Sequence, residues 1–130
     1  MTGPTPAKLA ELQRLAQLKS DLEMRRFSAF RIRVDMAQAQ IRRIEQDLRD
    51  IYASKGEFSI EEARLANALA GERSRALLRA ELALEQMLPS FEVARQAAVR
   101  EFGRVEVLRS VRQDLIDQQA QDLRRKSPFG

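Results

Sequence analysis

The first half of the chain carries apolar residues in steps that alternate between three and four. From Phe27 the series runs without a miss through Phe27, Phe30, Val34, Ala37, Ile41, Ile44, Leu48 and Ile51. This alternation is the a/d pattern of a coiled-coil helix, in which the apolar residues form one continuous seam. Upstream, the stripe continues with five leucines: Leu9, Leu12, Leu15, Leu18 and Leu22. The step of five residues from Leu22 to Phe27 predicts that the seam shifts its phase there.

The second half repeats the same steps and predicts a second long helix. Its seam begins with Ala63, Ala66, Ala70, Arg73, Leu77, Ala80, Leu84, Met87, Phe91, Ala94 and Ala98. The series then drifts to Phe102, Val105, Leu108, Val111 and Leu115. Gly71, Pro89 and Gly103 weaken this helix. Because the apolar residues keep one phase across Pro89, the pattern predicts a kink there rather than a break.

The segment SKGEF, residues 54–58, is the one clear interruption between the two helices. Gly56 can take the left-handed conformation that ends a helix. Ser59 opens the sequence S-I-E-E, in which Ser59 and Glu62 can form a capping box, and Phe58 is placed to pack over Ala63. A connection this short predicts that the second helix runs back alongside the first.

The predicted fold is therefore all-α: two long helices form an antiparallel coiled-coil hairpin, and the second helix is longer. The predicted boundaries are a disordered leader at 1–6, helix one at 7–53, a turn at 54–58, helix two at 59–126 and a tail at 127–130.

The lengths of the two helices predict an overhang. If Ala53 lies opposite Ile60, then Leu12 faces Glu101. The first residues of helix one then lie opposite Val105 or Glu106 of helix two. The remainder of helix two, Val107–Lys126, still carries Leu108, Val111, Leu115 and Ile116. An apolar stripe without an intramolecular partner is a candidate binding surface.

Composition agrees with long helices and excludes several kinds of chemistry. Charged residues make up 32% of the 130 residues and aromatic residues only 5%, a mix typical of coiled coils. Without Cys or His, the chain cannot form disulfides, Cys or His zinc sites, or imidazole-containing triads. Because glycine-rich phosphate loops and nucleophile elbows are also absent, we expect a protein that is not an enzyme and has no cofactor or metal. The lack of a long apolar window predicts a cytoplasmic protein that does not insert into membranes.

The stretch RRFSAFRIR, from Arg25 to Arg33, has two interpretations. Arginines interleaved with rings could bind nucleic acid through phosphate contacts and base stacking, with an affinity that falls steeply with salt. The register favours coiled-coil core for both rings, since Phe27 and Phe30 lie on the seam. The arginines from Arg25 to Arg43 then form either a salt-bridged, solvated face or an electrostatic docking stripe. Nucleic-acid binding is the least favoured function, because the net charge is only +4.

The segments LAELQRLAQLKSDLEMRR and VEVLRSVRQDLIDQQAQDLRRK, joined in a hairpin with a longer second helix, resemble the FliJ family of flagellar type III export proteins. The injectisome counterparts of that family are of the YscO type. The resemblance implies a non-enzymatic central stalk that binds and stimulates the hexameric export ATPase. It also implies contacts with an export gate component and with substrate chaperones.

By this architecture, the end that bears both termini would enter the ATPase ring. The candidate partner-binding residues at that end are exposed apolar and basic positions: Lys8, Arg14, Arg100, Arg104, Leu108, Arg109, Val111, Arg112, Leu115 and Ile116. An alternative function is a homo-oligomeric scaffold, in which two hairpins self-associate as a four-helix bundle that covers the apolar stripe.

Overall fold

The structure, a computed structural model, describes residues 3–53 and 59–127. It contains helix α1, Pro6–Ala53, and helix α2, Ile60–Lys126, which pack against each other as a helical hairpin. No strand occurs among these residues. The predicted all-α hairpin with a longer second helix is confirmed.

Side chains and helix-compatible residues mark the start of each helix. The Lys8 N–H donates to Thr5 Oγ1 at 3.2 Å, and Pro6 occupies the first helical position, where its fixed φ suits a helix. Pro6 therefore belongs to α1 and not to the predicted leader. At α2, the Glu62 N–H donates to Ser59 Oγ at 3.1 Å, which confirms the serine half of the predicted capping box. The predicted roles of Gly56 and Phe58 lie outside the described residues.

The chain divides into two compact units. The middle unit is Ser28–Val93. The terminal unit combines Met1–Phe27 with Ala94–Gly130.

In the middle unit, the α1 seam lies where the sequence places it. Val34 and Ile44 are buried, and the other seam residues from Phe30 to Ile51 are half-buried. On α2, Ala70 is buried, and the half-buried residues that keep the three-four alternation are Ala66, Arg73, Leu77, Ala80, Leu84, Met87 and Phe91. Ala63 is exposed, so the α2 seam begins at Ala66.

Pro89 does not interrupt α2, which is one continuous helix from Ile60 to Lys126. Pro89 itself is exposed. The expectation that the helix does not break there is confirmed, and the kink remains a prediction.

In the terminal unit, the predicted phase shift of α1 is wrong. The covered residues are Leu9, Gln13, Ala16, Ser20, Glu23 and Phe27, which continue the alternation of the later seam without a change of phase. Leu12, Leu15, Leu18 and Leu22 are instead 49%, 64%, 57% and 63% exposed. The covered positions keep the same steps of three and four through Phe27. The leucines do not fall on these positions and therefore lie outside the seam.

The predicted drift of α2 is wrong for the same reason. Ala94, Ala98, Glu101 and Val105 are buried, and Leu108, Arg112 and Leu115 are half-buried, again in steps of three and four. Glu101 and Arg112 occupy seam positions that the sequence pattern gave to Phe102 and Val111, both of which are exposed.

The two helices pair about one heptad away from the predicted register. Lys19 Nζ, not Leu12, lies at Glu101, 3.5 Å from its Oε1. In the middle unit, Asp47 Oδ2 lies 3.6 Å from Arg73 Nη1, one heptad beyond the Ala66 expected there. Each unit thus shows the same displacement, and the assumption that Ala53 lies opposite Ile60 fails.

This register shortens the uncovered end of α2. Arg112 Nη1 donates to Gln13 Oε1 at 3.3 Å, and Leu108 and Leu115 are half-buried rather than uncovered. All residues from 116 to 127 are exposed. The overhang therefore starts after Leu115 and not at Val107.

Candidate functional site

The seam of the terminal unit is made mainly of small and polar side chains. Ser20 and Glu101 are 4% and 3% exposed, and Ala94 and Ala98 are buried beside them. Glu101 Oε1 accepts a hydrogen bond from Arg104 Nη1 at 2.9 Å and also lies near Lys19. Ala, Ser and Glu side chains bury little apolar area, so these positions contribute little to the hydrophobic effect.

Two buried polar atoms in this seam have no hydrogen-bond partner, Glu23 Oε2 and Arg112 Nε. Arg26 Nη1 approaches Glu23 Oε2 to 3.8 Å, which offsets part of the desolvation of the carboxylate. Polar and charged side chains therefore take part in the interior of the terminal unit, beside buried Leu9 and Val105.

The large apolar side chains of the same unit lie outside the seam. Leu12, Leu15, Leu22, Val107 and Val111 are between 44% and 64% exposed. Each of them directly precedes a seam residue. Lys19 and Arg104 occupy equivalent preceding positions and reach the same oxygen of Glu101. The positions that directly precede a seam residue therefore lie on the same side of the seam in both helices. We call the surface that Leu12, Leu15, Leu22, Val107 and Val111 form on this side the leucine flank.

The leucine flank is basic. In the terminal unit, the charged residues that directly precede a seam position are Lys8, Lys19, Arg26, Arg100, Arg104 and Asp114. Of these, Lys19 and Arg104 pair with Glu101, and Arg26 lies near Glu23. An apolar surface edged by cations suits a partner surface that carries carboxylates.

The structure separates the residues predicted from the sequence into three groups. Val111 belongs to the leucine flank, and Lys8, Arg100 and Arg104 lie on the same side of the seam because each directly precedes a seam residue. Leu108, Arg112 and Leu115 lie in the seam and are half-buried. Arg14, Arg109 and Ile116 directly follow seam positions and lie on the opposite side, where Arg109 Nη1 pairs with Glu106 Oε1 at 3.2 Å.

Sequence reasoning missed Leu12, Leu15 and Leu22 as surface residues. The sequence feature that could have revealed them is the step of five residues between Leu22 and Phe27, which breaks the three-four alternation. Extending the seam backward from Phe27 in unbroken steps gives Glu23, Ser20, Ala16 and Gln13, and leaves the leucines outside.

The arginine-rich stretch from Arg25 to Arg33 keeps its charges at the surface, whereas both its rings belong to the seam. Phe27 and Phe30 are half-buried, and the Arg33 guanidinium lies 5.9 Å from the centre of the Phe30 ring, a cation–π distance. The rings therefore contribute to packing, which leaves them less available to stack on bases.

Arg73, the charged residue at an α2 seam position of the middle unit, is held by two carboxylates. Its guanidinium donates to both oxygens of Glu72 at 2.7 Å and approaches Asp47 of α1. The hydrogen bond from Arg73 lowers the pKa of the Glu72 carboxyl below its usual value. Arg73 thus sits at the seam with its charge compensated.

The described residues contain no group of three or more His, Cys, Asp or Glu side chains able to hold a metal ion. Neither helix, over its described length, has an apolar stretch sufficient to cross a membrane. Comparisons of the chain with protein-family models, with curated proteins and with solved structures gave no match.

Proposed function

We propose that this chain is a non-enzymatic coiled-coil component of a type III protein export apparatus, which binds and stimulates the export ATPase as a central stalk. The proposal begins from the resemblance to FliJ-like proteins. Its further partners would be an export gate component and substrate chaperones. Its site of action would be the cytoplasm, at the periphery of the export apparatus.

The leucine flank is the observation that supports this proposal most directly. Half-exposed leucines at the end that carries both termini would each gain about 1 kcal/mol on being covered by another protein. They lie outside the seam, so the packing of the two helices leaves them exposed. An outward-facing apolar surface at this end would give a stalk a contact with the ring that it enters.

A pull-down and an ATPase assay with the cognate type III export ATPase test the proposal. We expect the wild-type chain to associate with the ATPase and to raise its rate of ATP hydrolysis. Replacing Leu15 and Leu22 by Ser should weaken both effects. Leu78 and Leu82, exposed leucines of the middle unit, provide the matched control when replaced by Ser.

An unchanged rate of ATP hydrolysis together with no association would count decisively against the export role. If both leucine pairs behave alike, the export role survives and the leucine flank is not the contact.

A homo-oligomeric scaffold is the second candidate, because a second hairpin could also cover the leucine flank. A two-fold contact through this flank would bring two surfaces that each carry Lys8, Lys19, Arg26, Arg100 and Arg104 against each other, and like charges oppose such pairing. Light scattering at micromolar concentration distinguishes the two. A dimer that resists dilution and is lost when Leu15 and Leu22 become Ser would favour the scaffold.

A further inference from the structure

The middle unit carries a groove between α1 and α2, formed by three adjoining hollows of about 440, 350 and 280 Å³. Gln40 lines all three hollows, and Ala76, Ala80 and Ala83 of α2 line the middle one. Met36 and Met87 line the third hollow, which Arg73 does not line, and Met36 also lines the first. Small alanine side chains allow another helix to approach closely, and methionines adapt to the shape of what they contact.

Arginines surround this groove. Arg33, Arg43, Arg73 and Arg79 contribute to its lining. Arg73 is compensated by Glu72 and Asp47. Within the part of the chain that the structure describes, no carboxylate forms a salt bridge with Arg33, Arg43 or Arg79. The groove therefore has an excess of positive charge around an alanine-rich floor.

We propose that this groove, which we call the arginine groove, receives an acidic amphipathic helix from a partner protein. The apolar side chains of that helix would rest on Ala76, Ala80 and Ala83. Its carboxylates would meet Arg43 and Arg79. The inference goes beyond the export role and does not depend on it, because the groove lies in the middle unit, whereas the leucine flank belongs to the terminal unit.

The length of the groove fits a short helix. Along α2 the lining runs from Arg73 to Met87, which at about 1.5 Å per residue corresponds to roughly 21 Å, or about four helical turns. A second copy of this chain fits less well, since a symmetric contact between two arginine grooves would oppose like charges.

Three synthetic peptides of about 18 residues test the inference. One is an amphipathic helix with Ala and Leu on one face and Glu on its edges. The second has the same composition in an order that destroys the apolar face, and the third replaces Glu by Lys. Each is titrated into the full chain and followed by fluorescence anisotropy and by NMR shifts of the groove residues.

We expect the acidic amphipathic peptide alone to bind, with shifts at Ala76, Ala80 and Ala83. Reversing both Arg43 and Arg79 to Glu should weaken this binding at least about tenfold. The matched control reverses Arg42 and Arg75, exposed arginines that do not line the groove, and should leave the affinity nearly unchanged. Ala83→Gln should block the groove, whereas Ala68→Gln, at another exposed α2 alanine, should not.

Circular dichroism of every variant checks that helicity is retained. Absence of binding up to about 1 mM peptide, equal binding of the rearranged peptide, or equal loss in both arginine pairs would overturn the inference. It would also be overturned if duplex DNA, phosphatidylserine vesicles or a second copy of the chain occupied the same groove more tightly. Because the ATPase assay monitors the leucine flank, failure of one proposal is distinguishable from failure of the other.

Discussion

Each of the two helices begins with a hydroxyl side chain that caps it, and this cap depends only on residues of the same helix end. Thr5 and Ser59 each supply a hydroxyl oxygen to a backbone N–H three residues later. Both were within reach of sequence reasoning, since a hydroxyl before a helix has few other uses. The Ser59 cap was predicted, and the Thr5–Pro6 start was missed because the neighbouring glycine and proline suggested a leader.

Loss of the α2 cap should destabilise the fold measurably. Ser59→Ala removes the acceptor for the Glu62 N–H and should lower the free energy of unfolding by about 1 kcal/mol. Urea unfolding followed by circular dichroism measures it. Ser59→Asp restores an acceptor and should recover most of the loss, whereas Ser90→Ala, at an exposed serine inside α2, should change little.

Gly103 offers a stabilising change. It lies exposed inside α2, and a Cβ built on it meets no atom within 4 Å. Gly103→Ala should therefore raise the free energy of unfolding by up to about 1 kcal/mol, because Ala loses less backbone entropy in a helix. Thermal unfolding measures the change, and a decrease in the thermal midpoint would contradict the open space found around Gly103.

At the scale of elements, the two seams show how far a periodic pattern can be extended. The α1 seam from Phe27 to Ile51 could be assigned from sequence, because every position in it is apolar. The terminal part could not, because the polar and small residues Gln13, Ala16, Ser20 and Glu23 hold the seam while leucines stand beside it. A pattern based on hydrophobicity assigns the leucines to the seam. The regular periodicity of the helix instead places Gln13, Ala16, Ser20 and Glu23 there.

Truncations on and off the seam distinguish these two assignments. Ile44 is 3% exposed and Leu15 is 64% exposed. Ile44→Ala should cost about 2–5 kcal/mol of unfolding free energy, whereas Leu15→Ala should stay within about 0.5 kcal/mol. Chemical denaturation of both variants gives the comparison. Comparable losses would mean that Leu15 packs inside the helix pair, contrary to the structure.

At the scale of the whole molecule, the hairpin and its longer second helix were predictable, and the register was not. Heptad patterns repeat, so sliding one helix by seven residues leaves nearly the same kinds of residue facing each other. In the observed register, Lys19 lies beside Glu101 and Asp47 beside Arg73. The register in turn decides how much of α2 is left uncovered.

Zero-length cross-linking tests the register directly. A carbodiimide joins a lysine amine to a carboxylate in contact with it, and lysine occurs only at positions 8, 19, 55 and 126. We expect a Lys19–Glu101 amide within the monomer, identified by mass spectrometry of the digested band and absent in Glu101→Gln. A dominant Lys19–Glu92 product would contradict the observed register and support the one expected from the sequence.

The sequence by itself determined that the chain forms two long helices with a hairpin connection, because apolar periodicity and helix caps depend on residues close together in the chain. It also determined that Phe27 and Phe30 belong to the seam, since they are in phase with the residues that follow. Only the tertiary structure decided which heptads meet, and with them the leucine flank and the arginine groove. Both surfaces depend on side chains from two helices far apart in sequence, and a repeating pattern gives similar local energies to several such pairings.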